Sequence, residues 1–422
     1  MKVHLITHGC KANQYDTETF RQELEARGAE IVEEPEQADA CVVNTCTVTH
    51  KADRTARKAI RRAKRQNPDL EIVAAGCSAA QRTDDYVEMD AVDNVVEGHD
   101  QIEVADAIAP EAPYLEVDEE PVGAELLGEH KPRTRGWIKV QDGCDRNCAF
   151  CATKLARGGS RSRDPDRVVE EAQRLSKQHS ELVFTGIHIG HYGRDLSERG
   201  EEQEHTLSTL CRRLLEEVPD VRFRLGSIEA TEIDDLMIDL LEHSGGRLVP
   251  HLHVPMQAGS NSVLRDMRRW HTREDYRDRV REIAERLPYL GLGADVMVGF
   301  PGETRENFQD TVELVDQLPF TYLHVFPFSE RKGTAAADME ERVDPEEKGR
   351  RSRILREMAM EKGEAYRQRR VGQAAEIVVE SNDYGMTEDY LRVKLTGDPD
   401  ERFGDKIYAP LDMEDGDLVA RI

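Results

Sequence analysis

Short apolar runs alternate with amphipathic stretches along the first hundred residues. VHLIT (3–7), ACVVN (40–44), EIVAA (71–75) and NVVEG (94–98) each read as a buried strand. Residues 14–27 place Phe20 and Leu24 four apart and stop at Gly28, which predicts a helix ended by a glycine. Strands that are apolar throughout and alternate with helices predict a doubly wound parallel sheet of the α/β class.

Residues 110–133 are rich in proline and acid and lack periodicity, as an interdomain linker does. A second strand–helix series begins at Gly136 and runs through WIKV, LVFTG, VRFRLGS, HLHVP, LGADVMVGF and YLHVFPF. Six such units predict a partial (β/α)6 barrel, because eight would need more chain. Beyond YRQRRVGQ the period shortens to AEIVVE, YLRVKL, KIYAPL and LVARI, the pattern of a small β-barrel like the oligonucleotide-binding fold. The predicted organisation is 1–112 α/β domain, 113–133 linker, 134–368 partial barrel and 369–422 small β-barrel.

Composition changes this picture in two ways. The net charge is −26, which argues against indiscriminate binding of nucleic acid. Only 14 of the 58 basic residues are lysine, against 84 aspartates and glutamates, a balance that suits a halophilic host. Excess acid spread over a surface still leaves room for a local basic site. The apolar runs are too short to cross a bilayer, and MKVHLITHGC reads as a first strand, not as a signal peptide. Eight cysteines in 422 residues, three of them directly after a glycine, do not form a secreted disulfide framework; a reducing cytoplasm and metal ligation are expected instead.

The cysteines fall into two sets. Cys144, Cys148 and Cys151 form a C-x3-C-x2-C loop just after the strand WIKV, at the mouth where barrel active sites sit. Three thiolates on a [4Fe–4S] cube leave one iron open, and an amine plus a carboxylate can chelate it, as S-adenosylmethionine does. A zinc loop completed by a distant fourth ligand is the alternative. Cys10, Cys46 and Cys77 each lie just past the C-terminal end of a predicted parallel strand, so one sheet edge gathers all three. A second three-thiolate cluster follows, with three unrelated core cysteines as the bland reading. Cys41 and Cys211 read as core.

The basic residues are also patterned. Arg54, Arg57, Lys58, Arg61, Arg62 and Arg65 recur at helical spacing, with Ala56, Ala59, Ile60 and Ala63 on the other face. In an acidic chain such a stripe points to a phosphate backbone, although charged faces are often only solvated. Residues 348–370 form a second, acid-interrupted basic segment. RLGSIEA (224–230) puts Ser227 and Glu229 at a barrel strand end, and GFPGET (299–304) is a turn after another; either fits plain turn chemistry.

With these residues in view, the chain resembles the radical S-adenosylmethionine methylthiotransferases over essentially its full length. The matching words are GCKANQYDTE, NTCTVT, GCDRNCAFC, ARGGSRSR, TGIHIGHYG, HLHVPMQAGS, DVMVGFPGET and HVFPFSERKGT. GCKANQYDTE and HVFPFSERKGT are most similar to the branch that acts on N6-threonylcarbamoyladenosine at tRNA position 37. One departure is Ala152-Thr153-Lys154, where the family commonly carries two aliphatics and a proline.

The resemblance implies two [4Fe–4S] clusters: a radical-generating one on Cys144, Cys148 and Cys151, and an auxiliary sulfur-delivering one on Cys10, Cys46 and Cys77. It implies S-adenosylmethionine both as radical source and as methyl donor, with C2 of the modified adenine as the reacting carbon. Phe150 (through its backbone), Gly186, Ser227 and Glu229 are then expected to bind S-adenosylmethionine. The 54–65 stripe, Arg157, Arg161, Arg163 and a C-terminal TRAM barrel are expected to hold the tRNA anticodon stem-loop. An electron donor such as flavodoxin or ferredoxin, a sulfur donor and a cytoplasmic location complete the implied setting. The competing readings are a methylthiotransferase acting on isopentenyladenosine-37 or on a ribosomal-protein aspartate, and a non-catalytic RNA-binding protein with structural zinc.

Overall fold

The computed structural model describes residues 1–47, 50–108, 134–198, 205–381, 383–397 and 404–421. The predicted linker, 113–133, lies outside the described residues.

The N-terminal sheet contains β1 (Lys2–Thr7), β2 (Glu30–Val32), β3 (Ala40–Thr45), β4 (Glu71–Gly76) and β5 (Asn94–Val95), in the order β2-β1-β3-β4-β5 with every pair parallel. The expected strand at 94–98 shrinks to two residues. The three-residue β2 was not expected, because its surroundings are too polar to stand out as an apolar run. Helix α1 (Lys11–Ala26) begins three residues before the predicted start, and Gly28 follows it at φ +83. Its Phe20 and Leu24 pack with Val3, Val42 and Val73 in one core on the sheet. Helix α2 (His50–Gln66) buries Ile60 and Ala63 against Cys41, Val43 and Ile72.

The sheet order reverses between β1 and β3. In open α/β sheets that switch point opens a crevice at the carboxyl ends of the strands, where ligands bind. Cys10, Cys46 and Cys77 stand there, past the ends of β1, β3 and β4.

The central domain has six parallel strands: β6 (Arg135–Lys139), β9 (Glu181–Thr185), β10 (Arg222–Arg224), β11 (His251–His253), β12 (Gly291–Val298) and β13 (Tyr322–Pro327). Between the first two, β7 (Gln141–Asp142) pairs with β8 (Arg161–Ser162), an antiparallel hairpin that closes the cysteine loop. The strands form two triplets, β10-β9-β6 and β11-β12-β13, joined by the bridges Phe223↔Leu248 and Ser227↔His253. This is the predicted six-stranded partial barrel. Ile138, Phe184, Phe223, Leu252 and Val296 share its main core, and the rings of Phe184 and Phe223 stack 5.7 Å apart.

A 26-residue helix, Pro345–Arg370, packs along β13 and leads to the C-terminal strands. Those are β14 (Ala374–Ser381), β15 (Tyr384–Thr387), β16 (Arg392–Thr396), β17 (Lys406–Glu414) and β18 (Asp417–Arg421), closed as β14-β15-β16-β18-β17 around Ile377, Val393, Leu411 and Leu418. The barrel docks through two fully buried arginines. Arg222 and Arg224 grip Glu181 at 2.6 and 2.7 Å and donate to the carbonyls of Met386 and Thr387, both at 3.0 Å. No helix among the described residues is long and apolar enough to cross a membrane.

Candidate active site

The N-terminal trio is drawn together by α1. Asn13 faces two of its sulfurs, with Oδ1 3.7 Å from Cys10 Sγ and 3.8 Å from Cys77 Sγ. Asn13 Nδ2 in turn donates to the carbonyls of His8 and Thr45, at 3.0 and 2.8 Å. Gly9, at φ +118, lets the chain turn tightly here; a Cβ on it would meet Cys46 Sγ at 2.8 Å.

The second trio sits on the loop after β7. Gly143 (φ +69) is obligatory, since a Cβ there would strike the Gly159 carbonyl at 1.8 Å. The segment Ala152-Thr153-Lys154 starts the short helix Thr153–Arg157 and braces the loop. Thr153 N–H donates to Cys151 Sγ at 3.4 Å, and Lys154 Nζ donates to Asp145 O and Asn147 Oδ1. That replaces the usual aliphatic packing with polar contacts.

Each trio has a guanidinium on one thiol. Arg269 Nη1 donates to Cys148 Sγ at 3.5 Å, while its other amine pairs with Glu229. Arg157 Nε donates to Cys77 Sγ at 3.1 Å. Burial pushes the Cys77 thiol up to about 11, against the pull of Arg157, and burial likewise raises Cys148 against Arg269. A cluster needs thiolates, so both arginines favour the ligating form. His188 Nδ1 lies 3.6 Å from Cys144 Sγ, and its Nε2 pairs with Glu232 at 2.8 Å. Burial opposes the charge of Glu232, but its bonds to His188 and His191 keep the carboxyl well below the usual range.

Among the described residues, neither trio has all its sulfurs within 4.8 Å of one another. That is wide for ligands of one ion, whereas a cube places each thiolate on its own iron. Three thiols, paired cations and this spacing suit a [4Fe–4S] cluster at each loop.

Arg157 is also the main link between the two domains. All five of its N–H groups are used: Cys77 takes one, Asp142 and His99 take two, and Asn13 (2.9 Å) and Asp16 (2.6 Å) take the rest. Lys139 bridges Asp16 and Asp142 at 2.8 and 2.6 Å. Burial works against these charges, yet the two aspartates hold Arg157 fully charged, and Lys139 and Arg157 hold Asp142 well below the usual carboxylate range.

Beneath the trios lies a cavity of about 600 Å³. Its roof includes Gly9, Cys10, Lys11 and Cys46; its walls are the barrel strand ends at Gly186, Ser227, His253, Asp295 and Tyr322. Tyr390 of the C-terminal barrel, at φ +69, also reaches it. Cys10 and Cys46 line this space, and so do Ile187 and Ile189, which flank the His188 that touches Cys144.

Several predicted site residues are placed differently. Arg157 is buried and spent on the domain junction, so it is not a tRNA contact. Arg163 is also buried, paired with Glu171 at 2.9 Å and donating to Tyr15 Oη. Glu229 is committed to Arg269, whereas Phe150 packs its side chain against a small core, which leaves the expectation for its backbone as it stood. Gly186 and Ser227 do line the cavity. On α2, Arg54, Lys58, Arg61, Arg62 and Arg65 are exposed, whereas Arg57 is half-buried against Asp53 and Asp85. Arg161 is exposed beside the cysteine loop. Sequence reasoning missed Asn13, Arg269, His188 and Glu232; the partners of the last three are distant in the chain, and those of Asn13 are partly so.

Residues 138–315 match the Radical SAM superfamily, and residues 2–98 match Uncharacterized protein family UPF0004. The fold and the three-cysteine loop are therefore those of a radical S-adenosylmethionine enzyme, which works with [4Fe–4S] iron and S-adenosylmethionine. The radical methyltransferase TsrM from Kitasatospora setae, solved with cobalamin and a [4Fe–4S] cluster, shares the fold at TM-score 0.59 and 16% identity, over 80% of this chain and 77% of that one. More specifically, this chain belongs to the radical S-adenosylmethionine tRNA methylthiotransferases. It is 38% identical to the threonylcarbamoyladenosine tRNA methylthiotransferase MtaB of Bacillus subtilis, over 94% of this chain and 91% of that protein. The MtaB of Rickettsia prowazekii is 35% identical over the same shares. A tRNA-2-methylthio-N(6)-dimethylallyladenosine synthase of Natranaerobius thermophilus is 31% identical over 84% and 80%. The protein is thus an enzyme, which removes the zinc-only reading.

Proposed function

We propose that this enzyme adds a methylthio group to C2 of N6-threonylcarbamoyladenosine at position 37 of tRNA. The observation that carries the reading is a second cysteine trio at the ends of β1, β3 and β4, two of whose members, Cys10 and Cys46, line a cavity walled by the radical barrel. Support for the substrate comes from relatives at 33–38% identity that are named for threonylcarbamoyladenosine, over at least 90% of this chain.

Cys144, Cys148 and Cys151 would hold one cluster and Cys10, Cys46 and Cys77 the other. When bound, these clusters supply one-electron cleavage of S-adenosylmethionine and the sulfur for transfer. The chain's own residues do the rest. Arg269 and Arg157 keep Cys148 and Cys77 toward thiolate, and Asn13 and Gly9 draw the upstream cysteines together. The strand ends at Gly186 and Ser227 give S-adenosylmethionine room. A purine inside a stacked anticodon loop cannot reach this depth, so residue 37 flips out to enter.

Nucleoside mass spectrometry of tRNA from a deletion strain tests the assignment. The 2-methylthio derivative of threonylcarbamoyladenosine should disappear while that of isopentenyladenosine persists. If the first persists unchanged, the substrate is wrong.

The exposed cations of α2 are placed to hold the stem-loop backbone. Lys58, Arg61 and Arg62 replaced together by glutamine should weaken stem-loop binding at least tenfold at low salt. The slope of log affinity against log salt should also flatten, by about 0.7–0.9 for each phosphate that is no longer neutralised. An unchanged slope would show that the stripe is only a solvated face.

A further inference from the structure

Lys11 takes no part in holding either trio of thiols. It follows cluster ligand Cys10 and opens helix α1, whose N-terminus carries no side-chain cap. Among the residues lining the 600 Å³ cavity it is the only lysine or arginine. It shares the lining of this cavity with the barrel residues Gly186, Ser227 and His251, so both domains meet there. It has no hydrogen-bond or ion-pair partner among the described residues.

The nearby carboxylates are engaged elsewhere. Arg135 pairs with Glu380 at 2.9 Å, Arg222 with Glu181 and Glu376 at 2.6 and 3.2 Å, and Arg224 with Glu181 at 2.7 Å. Glu388 and Asp389 pair with Arg370, so none of these carboxylates bonds to Lys11 directly. The only carboxylate on the cavity wall, Asp295, is occupied by His253 at 3.1 Å and His324 at 3.3 Å. An ammonium with no direct partner on a cavity wall offers a binding group to an anion that enters.

The two substituents named among the relatives differ in this respect. Dimethylallyl is purely apolar, whereas threonylcarbamoyl ends in a free carboxylate and a hydroxyl. Cys10 and Lys11 both line the cavity, so they can serve different parts of one ligand, the cysteine its cluster and the lysine a more distant group.

We infer that Lys11 is the specificity residue for the N6 substituent, its ammonium receiving the threonylcarbamoyl carboxylate as purine 37 enters the cavity. This rests on the threonylcarbamoyladenosine reading above. The buried cations beside the cysteines are already paired, Arg269 with Glu229 and Cys148 and Arg157 with Asp16, Asp142 and Cys77. Lys11 makes no bond and breaks none; it is a binding group.

The test uses the full chain reconstituted with both clusters and two synthetic anticodon stem-loops. One bears threonylcarbamoyladenosine and the other its primary amide, which keeps shape and loses charge. Wild-type enzyme should favour the carboxylate by on the order of 10- to 100-fold in Kd and kcat/KM. Lys11→Met should lose that preference and bind the amide as wild type does, while Lys11→Arg retains most of it. Iron content equal to wild type shows that Lys11→Met leaves the Cys10 loop intact. If that variant fails to load iron, the wild-type and Lys11→Arg ratios decide, and a wild-type ratio near one overturns the proposal. So does a Lys11→Met that keeps the preference, weakens both stem-loops equally, or raises only the KM for S-adenosylmethionine. Failure of the substrate reading looks different: wild type would then leave the threonylcarbamoyl stem-loop unmodified and convert the isopentenyl one.

Discussion

Cys148→Ala, reconstituted anaerobically, is expected to bind about four irons per chain where wild type binds about eight, and to lose methylthio transfer below detection. Cys148 is one of three thiols on a loop whose closure depends on Gly143, and its sulfur receives the Arg269 donor. With two thiolates left, the cube at this loop loses an iron anchor and S-adenosylmethionine loses its chelating iron. Cys77→Ala should also fall to about four irons, but with a separable phenotype. Its loop is intact at the barrel mouth, so reductive cleavage of S-adenosylmethionine to 5′-deoxyadenosine should continue while methylthio transfer stops. Iron analysis, product chromatography and electron paramagnetic resonance check both. Eight irons in either variant would overturn the assignment of that trio.

Arg157→Met should be the most destabilising single change at the junction of the two domains. It leaves Asp16 and Asp142 buried with only Lys139 between them, and breaking such a pair costs about 3–5 kcal/mol. Arg157→Lys should recover little, because an ammonium offers three donors on one atom and cannot span Cys77, Asp142 and Asp16 together. The auxiliary thiol would also lose the donor that opposes its desolvation, so iron at Cys10, Cys46 and Cys77 should load more slowly. Denaturant unfolding and iron-loading kinetics give the two readouts. Acid should act in the same direction. Asp16 and Asp142 are held below their ordinary range in the folded state, so their contribution is complete at neutral pH and fades as pH falls through those lowered values. A variant with wild-type stability would show that the junction rests on other contacts.

Much of the fold was legible because it repeats locally. Apolar runs at the spacing of strand–helix units mark the parallel sheets, and the 3.6-residue period of α2 separates its buried Ile60 from its exposed Lys58 without reference to the rest of the chain. The 94–98 strand was overread, since two valines beside a glycine look the same whether two residues pair or five. Cys144, Cys148 and Cys151 were legible because a loop ligand set is local. Cys10, Cys46 and Cys77 were legible for a related reason: parallel strands share one carboxyl-end edge, so a residue at each strand end is brought to it by topology alone.

Arg157 and Arg163 show the limit. Both lie in an arginine-rich run that reads as a basic surface, yet one closes a domain junction and the other pairs with Glu171 inside it. The partners of Arg157 lie 80 to 144 positions away at Cys77, Asp16 and Asn13, and no local period records them. The sequence by itself determined the class of fold, the two thiol trios and the cationic face of α2, because each follows from local period or strand-end position. Only the tertiary structure decided which cations face water, which hold cysteines, and that Lys11 lines the cavity with no direct partner among the described residues. Burial and pairing of a charge depend on distant segments packed around it, and an ammonium's environment is not encoded by its neighbours in the chain.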